Sequence, residues 1–282
     1  PVLCVGNYHT GGAGKTPTVL ALTRLLRDLG ETPVVLSRGY GGRLRGPLMV
    51  DLARHAAADV GDEPLMLART VPVAVARDRP GGVALARSQG ASVILMDDGF
   101  QNPAVAKDAS LIVIDANRGL GNGCLFPAGP LRAPLDLQLA RTDALIVIGD
   151  GTAARSVAAG IAARGKPVLS AHLKPTDASV SALAARRVLA FAGIGDPDRF
   201  FRTLRAADID VVRERAFADH HPYSPGEIEA LIAEAARDRL TLVTTEKDAV
   251  RLPAAFRQKV LTLPVRLQLQ EWAPLEAAFR RL

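Results

Sequence analysis

The sequence predicts an α/β protein: a mostly parallel sheet sandwiched by helices, followed by a second, smaller α/β domain. Three observations carry this. Short, continuous, β-branched runs alternate with helical stretches, the mark of strands buried on both faces. A glycine-rich loop stands between the first run and the first helix, at Gly11–Thr16. A polar stretch at Lys174–Ser181 separates two such alternations, and 282 residues make about two units of ~150. The expected division is 1–180 for a nucleotide-binding and catalytic domain and 181–282 for a C-terminal α/β domain closing the cleft.

In chain order, the expected strands of the first unit are Val2–Val5, Val34–Leu36, Val73–Val75, Val93–Met96, Leu111–Ile114, Leu145–Ile148 and Val168–Leu169. Thr18–Leu29 and Gly82–Gln89 read as helices between them. The second unit follows with a strand at 188–192, a helix at Pro197–Ala206, a strand at Asp210–Val212, a helix from Pro225 to Arg237 and a strand at Leu240–Thr244. Lys174–Ser181, rich in Pro, Thr, Asp and Ser, reads as the linker.

Composition narrows the function classes. The chain is 48% hydrophobic, 23% charged and 4% aromatic, which excludes a disordered chain, a collagen and a coiled coil. Two cysteines, Cys4 and Cys124, exclude a disulfide scaffold and a multi-cysteine zinc site, and read as packing residues. No apolar run approaches the ~18–20 residues of a membrane span, and no signal peptide is visible. A reduced cytosolic compartment is the default. The net charge of +6 suits an anionic partner, but the arginines are dispersed and aromatics scarce, so nucleic acid is not expected.

The sharpest signal is Gly11-Gly12-Ala13-Gly14-Lys15-Thr16, a phosphate loop of the P-loop NTPase type. Glycines let backbone N–H groups turn inward onto phosphate oxygens. Lys15 reaches the β- and γ-phosphates, the Thr16 hydroxyl is placed for Mg²⁺, and the helix N-terminus adds its positive end. Pro17 is tolerated in the first turn, where its missing N–H has no role. The strict pattern asks for glycine where His9 stands; the Gly11-Gly12 pair supplies the tight turn instead. Thr10 and Pro17 complete the expected nucleotide-binding stretch, and His9 reads as a loop residue.

Such a loop needs a carboxylate near Mg²⁺ at the end of an apolar strand. Val93–Met96 runs into Asp97-Asp98-Gly99-Phe100-Gln101. The two aspartates point to opposite sides if the strand persists, so one of them is expected on the metal. Asp115, ending the next strand, reads as a turn or cap residue.

Ligands of a parallel sheet gather at the carboxyl ends of its strands. Arg38 in Ser37–Gly42, Arg79 after the third strand and Arg132 in the loop from Phe126 are placed there as phosphate grips or surface charges. Asp62 of Gly61-Asp62-Glu63-Pro64 either caps a helix or acts as a base. In the second unit, Asp219-His220-His221 reads as a proton-handling pair, a structural cluster or metal ligands. Thr245 with Asp248 has capping-box spacing.

The ordered set resembles the tetraacyldisaccharide 4′-kinase (lipid A 4′-kinase) family. Its carriers are the phosphate loop, Ser37-Arg38-Gly39-Tyr40-Gly41, Gly61-Asp62-Glu63-Pro64, Asp97–Gln101, Phe191–Gly195, Phe217–His221 and Thr244–Asp248, spread over about residues 2–252. The resemblance implies transfer of the γ-phosphoryl group of ATP, with Mg²⁺, to the 4′-hydroxyl of tetraacyldisaccharide 1-phosphate. The product is lipid IVA, in lipopolysaccharide synthesis. It further implies that residues 10–17 bind the triphosphate, Lys15 among them as a catalytic cation, and that Thr16 with Asp97 or Asp98 holds Mg²⁺. Asp62 is implied as base with a histidine of the second domain, His220 as aligned, with His221 adjacent. Arg38, Arg79, Gln101 and Arg132 are the candidates for substrate or phosphate contacts. The family is peripheral on the cytoplasmic face of the bacterial inner membrane, aided by a hydrophobic N-terminal helix before the phosphate loop. This sequence opens on its first strand, with no Met, and does not contain that helix.

The rival reading is a switch ATPase of the partitioning and metal-chaperone type. Those proteins often carry a signature lysine just before the glycine pair, where Thr10 stands here.

Overall fold

The computed structural model describes residues 1–280. Eight strands of the large sheet come from the first two-thirds of the chain: β1 (Val2–Gly6), β2 (Pro33–Ser37), β3 (Leu48–Met49), β4 (Val73–Val75), β5 (Val93–Asp97), β6 (Ala109–Asp115), β7 (Ala144–Ile148) and β8 (Val168–Pro175). A smaller sheet holds β9 (Arg187–Ala192), β10 (Asp210–Ala216), β11 (Thr241–Thr244) and β12 (Leu261–Thr262), all parallel. A last strand, β13 (Val265–Leu269), returns to the large sheet and pairs antiparallel with β8. The large sheet thus runs β13-β8-β7-β6-β1-β5-β2-β4-β3, parallel except at its two edges.

The continuous apolar runs form the parallel strands because both sheet faces are covered. In β1, Leu3 and Val5 enter one core with Leu22 and Leu25 of the helix Lys15–Asp28, while Val2 and Cys4 enter the other with Ile94 and Met96. One strand feeds two cores, so alternation with polar residues would cost stability at every second position.

β1 lies between β5 and β6: the chain leaves it toward β2 on one side, returns inward to β5, and then runs outward through β6, β7 and β8 on the other. That is the switch point where a doubly wound sheet opens a crevice at its carboxyl end. The phosphate loop follows β1, Asp97 ends β5 and Asp98 follows it, so the crevice holds the loop and both aspartates.

Two expectations are corrected here. Lys174–Ser181 is not a linker: it contains the end of β8 and most of the helix Asp177–Leu183, which Thr176 caps through its side chain. Residues 265–269, expected with the second unit, belong to the large sheet, because their backbone completes the edge of β8. The units also share a core. Val250, on the helix Glu246–Arg251, packs with Val60, Leu65, Met66 and Val75.

Candidate active site

The helix Lys15–Asp28 begins at Gly14, whose φ of +94° is a left-handed conformation that glycine adopts without strain. A Cβ there would come within 2.6 Å of the Ile148 side chain, so the loop also needs glycine for space. Neighbours hold the loop's shape: Asn7 donates to the Gly11 carbonyl at 3.1 Å, and the Thr10 N–H donates to Pro130 O at 2.9 Å. His9 is buried beneath it, with Nδ1 3.0 Å from Thr10 O, as a loop residue.

A cavity of about 630 Å³ opens over this loop, lined by residues of both units. Thr10 to Pro17 form its floor, Arg38, Tyr40, Asp97, Asp98 and Arg132 one wall, and Asp196, His220 and Lys247 the other. Most of the sequence-predicted site residues meet there.

The two aspartates have different environments. Asp98, at φ +51°, is gripped at both oxygens by the Arg132 guanidinium, 2.6 and 3.1 Å away, and Lys15 Nζ stands 3.6 Å from Oδ1. Burial alone would raise its pKa, but Lys15 and Arg132 hold it below the usual carboxylate range. Asp97 is buried and its Oδ1 has no hydrogen-bond partner. Burial, together with the carboxylates of Glu63 and Asp98, pushes its pKa up to about 7. Asp97 is thus a buried carboxylate with one oxygen that accepts no hydrogen bond, whereas Asp98 is paired with two cationic side chains.

Asp62 opens the helix Asp62–Leu67 and is 5% exposed. Its Oδ1 accepts from the Glu63 N–H at 2.9 Å, and its Oδ2 lies 2.9 Å from His220 Nδ1. This contact joins residues 158 apart in sequence and comes from opposite units. Burial works against the Asp62 charge, but the His220 hydrogen bond, with Lys247 and Arg251 nearby, lowers its pKa. The same hydrogen bond raises that of His220 above the ordinary imidazole value. His220 lines the cavity and Asp62 lies behind it, so the carboxylate orients an imidazole rather than facing the cavity itself. Tyr40 covers the imidazole, with ring centroids 5.4 Å apart.

His221 does not share this role. Its Nε2 is 2.9 Å from Glu227 Oε1 and its ring packs on Phe217 and Tyr223, within the second unit.

Two expected substrate contacts are corrected. Gln101 donates to the Asn7 carbonyl and to Gln138 Oε1, both at 2.9 Å, and is not among the cavity's lining residues. Its amide buttresses the strand that leads into the phosphate loop. Arg79 is 3% exposed and sits behind Asp97, whose carbonyl lies 3.5 Å from Nη2. Burial within the sheet's end keeps it from the cavity. Arg38 is exposed and does line it. Cys124, expected to pack, is exposed, while Cys4 is buried.

A model of the LpxK family, tetraacyldisaccharide-1-P 4′-kinase, matches residues 1–282. The chain belongs to the tetraacyldisaccharide-1-P 4′-kinase family. It is 75% identical over 252 residues to the tetraacyldisaccharide 4′-kinase of Bradyrhizobium diazoefficiens, covering 89% of this chain and 75% of that protein. It is 67% identical over 278 residues to that of Rhodopseudomonas palustris strain BisB5, covering 98% of this chain and 82% of that one. The crystal structure of an "apo" form LpxK from Aquifex aeolicus in complex with ATP is 28% identical, with a TM-score of 0.77. It covers 100% of this chain and 88% of that one. Membership makes the chain a kinase and disfavours the switch-ATPase reading.

Sequence reading did not assign three residues at or behind this cavity: Lys247, Asp248 and Arg251. Lys247 lines the cavity and pairs with Glu63 across the units; burial opposes its charge, but Glu63 pushes its pKa up to about 12. Thr245 does cap its helix, accepting from the Asp248 N–H at 3.1 Å. Lys247 follows the cap at the carboxyl end of β11, where ligands of a parallel sheet gather, and that position is the signal that could have found it. Asp248 and Arg251, on the same short helix, are buried and tied to the histidine loop. The spacing of Asp248 from Thr245 marks only the cap, and nothing local marks Arg251.

Proposed function

We propose that the protein transfers the γ-phosphoryl group of ATP to the 4′-hydroxyl of tetraacyldisaccharide 1-phosphate, forming lipid IVA for lipopolysaccharide synthesis. One observation carries the reading furthest: His220, held by Asp62 at 2.9 Å, faces the same cavity as the phosphate loop. An alcohol acceptor must be aimed and deprotonated, and an imidazole held by a carboxylate at this cavity can do both.

The phosphate loop binds the triphosphate, with Lys15 at the β- and γ-phosphates. Lys15 now faces Asp98, and Arg132 shares that carboxylate, so either cation can turn to phosphate oxygens without crossing the cavity. Residues of the right chemistry for Mg²⁺ are present. Asp97 offers a buried oxygen without a partner, Thr16 a buried hydroxyl, and hard oxygen donors are what this ion takes. We assign it to Thr16 and Asp97, with Asp98 instead holding Lys15 and Arg132. When bound, it neutralises charge on the β- and γ-oxygens.

Asp62 fixes the His220 tautomer with the proton on Nδ1, leaving Nε2 free to accept the proton of the acceptor hydroxyl. The hydroxyl oxygen then forms its bond to phosphorus in line with the departing ADP oxygen. Lys247 and Arg38 add positive charge to the cavity rim. The second unit, built on β9 to β12, supplies His220 and Lys247 and closes the cleft, which excludes water from the transferring group.

We place this work at the cytoplasmic face of the inner membrane, as a peripheral protein and without nucleic acid, since the acceptor is a membrane lipid. Among the described residues no helix is long and apolar enough to cross a membrane. The test is incubation with Mg²⁺, γ-labelled ATP and tetraacyldisaccharide 1-phosphate in detergent. Labelled lipid that disappears with Lys15→Ala is expected; ATP hydrolysis without labelled lipid would overturn the proposal.

A further inference from the structure

We propose that Arg251 is the positioning residue of the phosphoryl-transfer site: its guanidinium locks the loop carrying His220 against the carboxylate of Asp62. The inference rests on the reading of Asp62 and His220 as the acid–base pair.

His220 needs an external lock. It sits at φ +58°, a left-handed conformation uncommon for residues with a Cβ, in the exposed turn that follows β10. Its backbone N–H reaches the Gly193 carbonyl at 3.1 Å, so Gly193 anchors the turn. Arg251 binds this anchor and the turn together. Its Nη2 donates to Gly193 O at 2.8 Å and its Nη1 to His221 O at 3.3 Å, one residue past the histidine. Its Nε lies 3.7 Å from Asp62 Oδ2, the oxygen that meets His220. One planar guanidinium therefore touches the histidine turn and the carboxylate of the opposite unit.

The guanidinium is itself held. Asp248 Oδ1 accepts from Arg251 Nη2 at 2.6 Å, from the Tyr223 hydroxyl at 2.7 Å and from the Gly193 N–H at 2.9 Å. Arg251 and Asp248 side chains are 8% and 0% exposed, so removing either would leave an uncompensated buried charge. Burying them only to staple a six-residue helix would be a costly choice, since an apolar pair could do that. A fork that spans Gly193, His221 and Asp62 at fixed spacing needs arginine, and lysine cannot reproduce it.

The charged groups facing the pair are Lys247, Glu63 and Arg251 around Asp62, and Asp219 and Lys247 around His220. Removing the Arg251 cation favours the protonated form of the pair. The acid limb of kcat/KM then moves to higher pH, a change that loss of packing alone does not produce.

The experiment uses Arg251→Gln, Arg251→Lys, Asp62→Asn and the double variant Arg251→Gln with Asp62→Asn. Each is assayed with Mg²⁺, ATP and tetraacyldisaccharide 1-phosphate across pH. Arg251→Gln is expected to lower kcat about 10- to 100-fold, with KM for ATP changed less than about twofold and the acid limb moved up. Arg251→Lys is expected to keep the limb in place while kcat stays low. The double variant is expected to be no worse than Asp62→Asn alone, because Arg251 acts through that carboxylate. Wild-type kcat and limb in Arg251→Gln beside an inactive Asp62→Asn would overturn this proposal alone, as would losses that multiply in the double variant. Wild-type turnover in Asp62→Asn would overturn the acid–base reading and the Arg251 role with it. If Arg251→Gln does not fold, Arg251→Lys decides: low kcat at an unmoved limb supports the role, and wild-type kcat overturns it.

Discussion

His220 and His221 are adjacent and chemically alike, yet the chain sends them to different partners, Asp62 and Glu227. Sequence could not separate them, because the choice is made by a backbone turn at φ +58° and a carboxylate 158 residues away. The account expects His220→Gln to lower kcat by at least about 100-fold, the size of an acid–base contribution, and His221→Gln to leave it within about twofold. Steady-state kinetics on the two variants checks this. Asp97 and Asp98 pose the same problem and have the same kind of answer. Asp98 is taken by Arg132 and Lys15; Asp97 is not. Asp97→Asn is therefore expected to raise the Mg²⁺ concentration for half-maximal rate more than Asp98→Asn does, in a Mg²⁺ titration at fixed ATP. The pH dependence follows from the Asp62 hydrogen bond. It raises the His220 pKa above 6.5, and the imidazole must be neutral to accept a proton, so kcat/KM is expected to fall as pH drops through a value above 6.5. In Asp62→Asn the residual activity is expected to keep its rate to lower pH, read from the kcat/KM profile.

Elements were legible where their signal is local. The phosphate loop, the strand running into Asp97 and the Thr245 cap each lie within a few residues, and each folds as its residues dictate. β3, β12 and β13 were missed because two- and five-residue strands acquire their identity from a partner edge. Gln101 was misplaced for a related reason: a polar residue after an acidic strand end looks like a ligand, but Asn7 and Gln138 claim it. The helix Pro225–Asp238 offers a test at this scale. Ser224 and Glu227 form a reciprocal capping box at its start. Ser224→Ala is expected to cost about 1 kcal/mol, measured by chemical denaturation, with kcat little changed.

The whole molecule brings its chemistry together by closing one sheet's carboxyl edge with a second sheet. Asp62–His220, Glu63–Lys247 and Asp115–Arg199 all cross that junction. Asp115 keeps the turn role read from sequence, accepting from the N–H groups of Asn117 and Arg118, and its other oxygen meets Arg199 at 2.7 Å. Pairing between distant surfaces has no local trace, which is why the family resemblance, not residue spacing, joined Asp62 to a histidine. Val250 adds an apolar contact to the junction, 1% exposed among side chains of the first unit. Two units that share a core unfold together. Calorimetry is expected to show one transition, and Val250→Ala to shift that whole transition down rather than split it.

In the proposed mechanism the Asp62–His220 pair serves transfer to an alcohol acceptor, over a phosphate loop that binds ATP independently of it. The most direct measurement follows label from γ-labelled ATP into tetraacyldisaccharide 1-phosphate for wild type and His220→Ala, with the Kd for ATP measured on the same samples. Label transfer is expected to fall by at least about 100-fold in the variant while the Kd stays within about twofold. Undiminished label in lipid with His220→Ala would contradict it.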